Sequence, residues 1–173
     1  MLRYLDDWLI LAPSEAACPQ VRDQVLQLCA ELGILVNLEK SSLTPTQSIT
    51  YLGIDLDSLI FKASPTRKRI DGLRKLVEEF LSFEWQPADL WRSLLGHLSS
   101  MTQLVPGARL RMRSLKLILK RSWDFLDPMV LIRWNQECQE DLLWFTEDRL
   151  LQGISLLSFP PTLHFWSDAS DQG

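Results

Sequence analysis

Residues 3–13 read Arg-Tyr-Leu-Asp-Asp-Trp-Leu-Ile-Leu-Ala-Pro, an apolar run interrupted by two adjacent carboxylates, Asp6 and Asp7. Asp tolerates the tight backbone of a turn, so the interruption predicts a β-hairpin with the pair at its tip. Val21, Val25, Leu28 and Leu32 then recur at helical spacing, with Ser14 as candidate cap and Gly33 as stop. Ile34–Val36 and Ser48–Ile54 are apolar, β-branched runs that predict strands, and Asp57-Ser58 predicts a turn into Leu59–Lys62. The first sixty residues therefore predict the order β-β-α-β-β-β.

Beyond them the period changes. Ser64-Pro65, Gln86-Pro87 and Asp127-Pro128 each place a proline where the first turn of a helix would sit. Between them run the stripes Ile70, Leu73, Val77, Phe80, Leu81; then Leu90, Leu94, Leu95, Leu98; then Leu110, Leu115, Ile118, Leu119. The longest predicted helix extends from Pro128 to about Leu150, with Trp134, Cys138, Leu142 and Phe145 on one stripe. Strand character returns at Leu163–Trp166. There is no internal repeat. His97 falls among leucines and reads as a packed or boundary residue.

Composition narrows the class. In 173 residues, 46% hydrophobic and 23% charged content is that of a globular protein rather than a disordered one. No apolar run reaches the ~18 residues that a membrane span needs, and no secretory signal opens the chain. Cys18, Cys29 and Cys138 never form a C-x-x-C pair, so they predict reduced, buried thiols of an intracellular protein (cytoplasm or nucleus) rather than a zinc or disulfide framework.

The net charge of −4 conceals segregation. Residues 1–61 carry 3 basic and 8 acidic side chains, residues 62–121 carry 13 and 5, and residues 122–173 carry 2 and 9. Between Met101 and Arg121 there are six basic residues and no acid: Arg109, Arg111, Arg113, Lys116, Lys120 and Arg121. A basic middle between acidic flanks is the footprint of a polyanion partner, and Arg109, Arg113, Lys116 and Lys120 are the candidate nucleic-acid contacts.

The boxes, taken in order, resemble a known family. Tyr-Leu-Asp-Asp at 4–7, then Gly33, Asn37 and Lys40 at the spacing Gly-x-x-x-Asn-x-x-Lys, then Leu52-Gly53, are similar to the palm of retroelement reverse transcriptases. The wording is most like retrotransposons of the DIRS type and similar to gypsy-type elements. "LWRSLLGHLSSMTQLVPGARLRM" resembles the thumb and connection of that family, and "HFWSDASDQG" resembles the opening strand of the ribonuclease H domain that follows it. The resemblance implies an α+β fold: a partial polymerase palm over residues 1–62, a helical thumb/connection over 63–150, and the start of a ribonuclease H-like domain over 151–173.

It also implies roles. Nucleotidyl transfer by two metal ions needs hard oxygen ligands, which Asp6 and Asp7 would supply to Mg²⁺; Asp168 would be the first metal-binding aspartate of the ribonuclease H site. Lys40 would lie near the incoming deoxynucleoside triphosphate, and Tyr51, Leu52 and Gly53 would form the turn that grips the primer end of an RNA or DNA template-primer. The family places a further aspartate upstream of the hairpin, whereas Met1 lies five residues before Asp6. A polymerase catalytically incomplete by itself, partnered by the first half of the palm, is therefore expected. A non-catalytic nucleic-acid-binding module and a relic open reading frame are the alternatives.

Overall fold

The computed structural model describes residues 1–157. The expected strand at Leu163–Trp166 and the candidate metal ligand Asp168 lie outside the described residues. The architecture is α+β.

The chain opens as a short antiparallel hairpin, β1 (Leu2–Tyr4) and β2 (Asp7–Leu9), paired Leu2↔Leu9 through Tyr4↔Asp7. The turn is Leu5-Asp6, so Asp7 belongs to β2 rather than to the tip, one residue off the sequence expectation. Helix α1 (Ala17–Glu31) follows. Ser14 acts just ahead of it, its Oγ accepting from the Ala17 N–H at 3.2 Å. The helix ends at Gly33 as predicted: Ile34 N–H donates to Cys29 O (2.8 Å) and Gly33 N–H to Ala30 O (3.2 Å), the paired bonds of a Schellman stop.

The strand expected at Ile34–Val36 is not formed; this segment is irregular and largely exposed. The strand expected over Ser48–Ile54 is two strands, β3 (Ser48–Tyr51) and β4 (Ile54–Asp57), reversed at Leu52-Gly53. Asp57 closes the next turn, its Oδ1 accepting from Leu59 and Ile60 N–H, and β5 (Lys62–Pro65) returns antiparallel to β4. The strand expected at Leu59–Lys62 thus begins only at its last residue.

Helix α2 (Arg67–Leu81) is capped by Thr66, whose side chain accepts from Arg69 N–H, and it buries Ile70, Leu73, Val77 and Phe80 at the predicted spacing. The short strand β6 (Trp85–Pro87) leads into α3 (Ala88–Met101), which buries Trp91, Leu94, Leu98 and Met101. Phe80 and Trp91 meet edge to face with centroids 4.9 Å apart. Gln86, also buried, turns its amide back to Phe80 O (2.6 Å) and Phe83 O (3.1 Å), satisfying carbonyls left open at the end of α2.

The next helical run is broken at Met112 into α4 (Ala108–Arg111) and α5 (Arg113–Ser122), which leaves Leu110 71% exposed although the stripe placed it inside. The long helix expected over 128–150 is likewise not continuous. Val130, Leu131 and Ile132 favour extended backbone, and β7 (Leu131–Arg133) pairs with β6, Gln86 opposite Ile132. Asn135 then caps a shorter α6 (Gln136–Trp144), its side chain accepting from Cys138 N–H at 2.9 Å. A 3₁₀ turn (Asp148–Leu151) brings β8 (Ile154–Ser155) onto β5. Gly153 makes that pairing possible: a Cβ there would stand 2.1 Å from Ala63 O.

One core runs from Ala63 to Leu150, through α2, α3, α5 and α6, with Ile154 packed against it. The first 62 residues contribute only Leu9 and Cys29 to the buried apolar set, and Leu28, Leu32, Leu35 and Leu38 are exposed. Amide exchange should therefore be slowest over residues 63–150 and fast over 1–47, because a segment with few buried contacts opens at low cost. Equal or greater protection of the first third, measured by hydrogen–deuterium exchange, would overturn this assignment of stability.

Candidate nucleic-acid interface and carboxylate hairpin

Two turns carry the candidate chemistry, and each holds a leucine in left-handed backbone. Leu5 (φ 51°) opens the β1–β2 turn and Leu52 (φ 51°) opens the β3–β4 turn, where Gly53 follows at φ 74°. A non-glycine residue there costs about 1–2 kcal/mol, which each hairpin accepts in exchange for a two-residue reversal. The first reversal presents Asp6 and Asp7 side by side and exposed.

The two turns meet. The Tyr51 hydroxyl donates to Asp7 O at 3.1 Å, across 44 residues of sequence. The Tyr51 hydroxyl thus ties the β3–β4 turn to the carboxylate hairpin. Trp8 stays with its own turn, its Nε1 donating to Leu5 O at 3.4 Å. Leu52 is 41% exposed at the tip. Gly53 is braced from behind: its carbonyl accepts from Thr66 N–H, and the Arg69 side chain lies against it, close enough for a Cβ on Gly53 to stand 3.6 Å from Nη1.

Lys40 lies in the loop after α1. Its backbone N–H donates to Asn37 Oδ1 at 3.1 Å, and Ser41 Oγ donates to Asn37 O, so Asn37 organises the turn that carries Lys40. The Lys40 side chain is exposed and, among the described residues, makes no ion pair with Asp6 or Asp7. Arg22 anchors the loop from α1 through Nη1 to Leu43 O (2.9 Å) and pairs with Asp23, holding that carboxyl below its usual range.

The basic run is divided by the break at Met112. Arg111, although exposed, reaches across to α6: it pairs with the buried Asp141 at 3.2 Å and lies over the Trp144 ring, 5.6 Å from its centroid. Asp141 also accepts from Ser114 Oγ at 2.5 Å, so one carboxylate ties α4, α5 and α6 together. Ser114 and burial act on the neighbouring Cys138 thiol as well, and burial, the larger influence, raises its pKa. Arg109, Arg113, Lys116, Lys120 and Arg121 are exposed and form no ion pair among the described residues. Arg113, Lys116 and Lys120 share one face of α5 at i, i+3 and i+7.

On the outer face of α3, Ser93, Gly96, His97 and Ser100 are all exposed. His97 is therefore not packed. Its leucine neighbours lie on the opposite stripe, a phase that the density of leucines hid. Among the described residues, no group of three or more His, Cys, Asp or Glu converges as a metal cluster.

The first third of the chain is similar to a known family. Residues 1–56 match the family described as reverse transcriptase (RNA-dependent DNA polymerase), a span that takes in both turns. Protein P of duck hepatitis B virus (strain Germany) is 26% identical over 104 residues, 60% of this chain and 13% of that protein. Protein P of heron hepatitis B virus is 24% identical over the same length. The chain thus spans about 13% of the curated relatives it matches. A foamy viral protease–reverse transcriptase, solved in complex with double-stranded DNA, shares the fold with a TM-score of 0.63 at 16% identity, over 84% of this chain and 23% of that one.

Removing the Tyr51 hydroxyl isolates the bond between the turns. Tyr51→Phe should leave the helical core at wild-type stability and speed amide exchange in residues 2–9 by about fivefold, the equivalent of one hydrogen bond of ~1 kcal/mol. Unchanged exchange at the hairpin would show that the bond does not hold it.

Proposed function

We propose that this chain is the later part of a retroelement RNA-directed DNA polymerase, of the DIRS or gypsy-like kind, in which the carboxylate hairpin and the Tyr51-Leu52-Gly53 turn face one nucleic-acid end. The Tyr51 hydroxyl bound to Asp7 O carries this reading, because it puts the two turns in one unit. In that reading residues 1–62 are part of a palm, residues 63–150 a thumb and connection, and residues 151–173, with Asp168, the start of a ribonuclease H-like domain. An intracellular compartment accords with it; no helix among the described residues is long and apolar enough to cross a membrane.

Asp6 and Asp7 fit Mg²⁺ as part of a donor set: two exposed hard-oxygen carboxylates on a backbone held by a strand pair. Bound there, two such ions would activate the primer hydroxyl and steady the triphosphate. The chain's own part is positional. The β1–β2 ladder sets the spacing of the carboxylates, Tyr51 fixes the hairpin against β3, and Lys40 places a cation for the triphosphate of a deoxynucleotide. Gly53 lets a strand end approach the backbone of its turn closely.

Two carboxylates leave a two-metal site short of a bridging ligand, so the 173-residue chain by itself is expected to extend no primer on RNA or DNA with Mg²⁺ or Mn²⁺. Extension that disappears in Asp6→Asn protein would refute this. A non-catalytic nucleic-acid-binding module is the second reading, favoured by five exposed cations of α4 and α5 that form no ion pair among the described residues.

Both readings require the basic face to hold a polyanion. Affinity for an RNA–DNA hybrid should fall steeply with salt, each neutralised phosphate contributing a log–log slope of ~0.9. With Arg111 engaged by Asp141, the Arg109→Gln, Arg113→Gln, Lys116→Gln, Lys120→Gln variant should lose a slope of roughly two to four. A wild-type slope in that variant would reduce the face to a solvated helix surface.

A further inference from the structure

The first turn of α2 is Arg67-Lys68-Arg69 and contains no acid. Cations at the amino end of a helix oppose its macrodipole. Arg67 is offset by Asp71, four residues on, at 3.4 Å. Arg69 is not: among the described residues it has no acidic partner. Its guanidinium nevertheless sits in a half-buried place between two elements. Nη2 donates to Ser100 O at 3.0 Å near the carboxyl end of α3, while Nη1 and Cδ lie against Gly53.

An arginine has five N–H donors in a fixed plane, and the bond to Ser100 uses one. That bond fixes the orientation of the plane, so the remaining donors are pre-aimed and lose little entropy on taking a ligand. What they lack is an anion. They lie between the Tyr51-Leu52-Gly53 turn and the carboxyl end of α3, a helix whose outer residues Ser93, Gly96, His97 and Ser100 are exposed.

We propose that Arg69 is a backbone-phosphate contact for a nucleic-acid strand, held between the Gly53 turn and α3. This rests on the reading of the chain as nucleic-acid-binding and deepens it: the strand that runs past the Gly53 turn is read at a phosphate by Arg69, a residue separate from the α5 basic face. Ser100 O serves as the fixed support of the contact and Gly53 as the gap that admits the strand.

The test is binding of the full chain to an RNA–DNA hybrid across a salt series, for wild type, Arg69→Gln and Arg69→Lys. Arg69→Gln should lower the log–log salt slope by about 0.9, the value of one phosphate, and Arg69→Lys should keep the wild-type slope. A brace that only steadies the turn predicts a different pattern: weaker binding in Arg69→Gln at an unchanged slope, which would overturn the proposal while leaving nucleic-acid binding intact. A wild-type chain whose affinity for the hybrid has no salt dependence would overturn the underlying reading and this inference with it.

Discussion

The Tyr51-Leu52-Gly53 turn is the junction on which the rest of the candidate site depends. On one side the Tyr51 hydroxyl reaches the Asp7 carbonyl; on the other, Gly53 rests on Thr66 and Arg69, and Arg69 reaches Ser100. The carboxylate hairpin is three residues per strand, and a lone two-stranded ribbon of that size is marginal in water. Its position is therefore borrowed. Rigidity passes from the helical core through α2 and the β3–β4 turn to Asp7, and every link in that series is a named contact.

The source of that rigidity is the buried set from Ala63 to Leu150, with Trp91, Phe80, Ile70, Leu94 and Leu98 fully enclosed. Burying a side chain of this size contributes about 1.5–3 kcal/mol, so a dozen of them outweigh the few hydrogen bonds that hold the first third. The polar groups inside serve the same end. Gln86 closes the end of α2, and Asp141 joins three helices through Arg111 and Ser114. Removing one partner of such a group leaves the other buried and unsatisfied, which costs more than the bond itself is worth. Stability and candidate chemistry thus occupy different parts of the chain: the carboxylates lie on the less protected side, where the surface is open.

Much of this was legible in the order of residues. The hairpin, the Gly33 stop, the α2 and α3 stripes and the adjacent carboxylates all follow from local rules: turn chemistry, capping, helical period. Two of the misreadings share a cause, an element decided by what lies beside it in space rather than in sequence. Leu131–Arg133 is a strand because Trp85–Pro87 lies beside it, and no period within 128–150 announces that pairing. Ile34–Val36 has strand composition without a neighbouring strand to take it. Tyr51 as a support for Asp7, and Arg69 between Gly53 and Ser100, are contacts over 44 and 31 residues that spacing alone does not encode. The signal for Arg69 was in the sequence all the same: a helix start with three cations and no acid.

The basic run from Arg109 to Arg121 shows how a charge count becomes a surface. Six cations in a row of thirteen residues suggest a uniform polyanion track, but each residue advances a helix by ~100°, so neighbours two apart face away from each other. The break at Met112 resets the phase between α4 and α5. Arg111 remains exposed but is paired with Asp141, a buried acid from the segment whose net charge is negative. Arg113, Lys116 and Lys120 lie around Leu117, with no acidic partner among the described residues. The acidic flank thus cancels the one cation that helix packing requires, and leaves the others uncancelled on the surface. Charge segregation along the chain thus becomes, on the surface, a division between one cation tied into the helix packing and others without an acidic partner among the described residues.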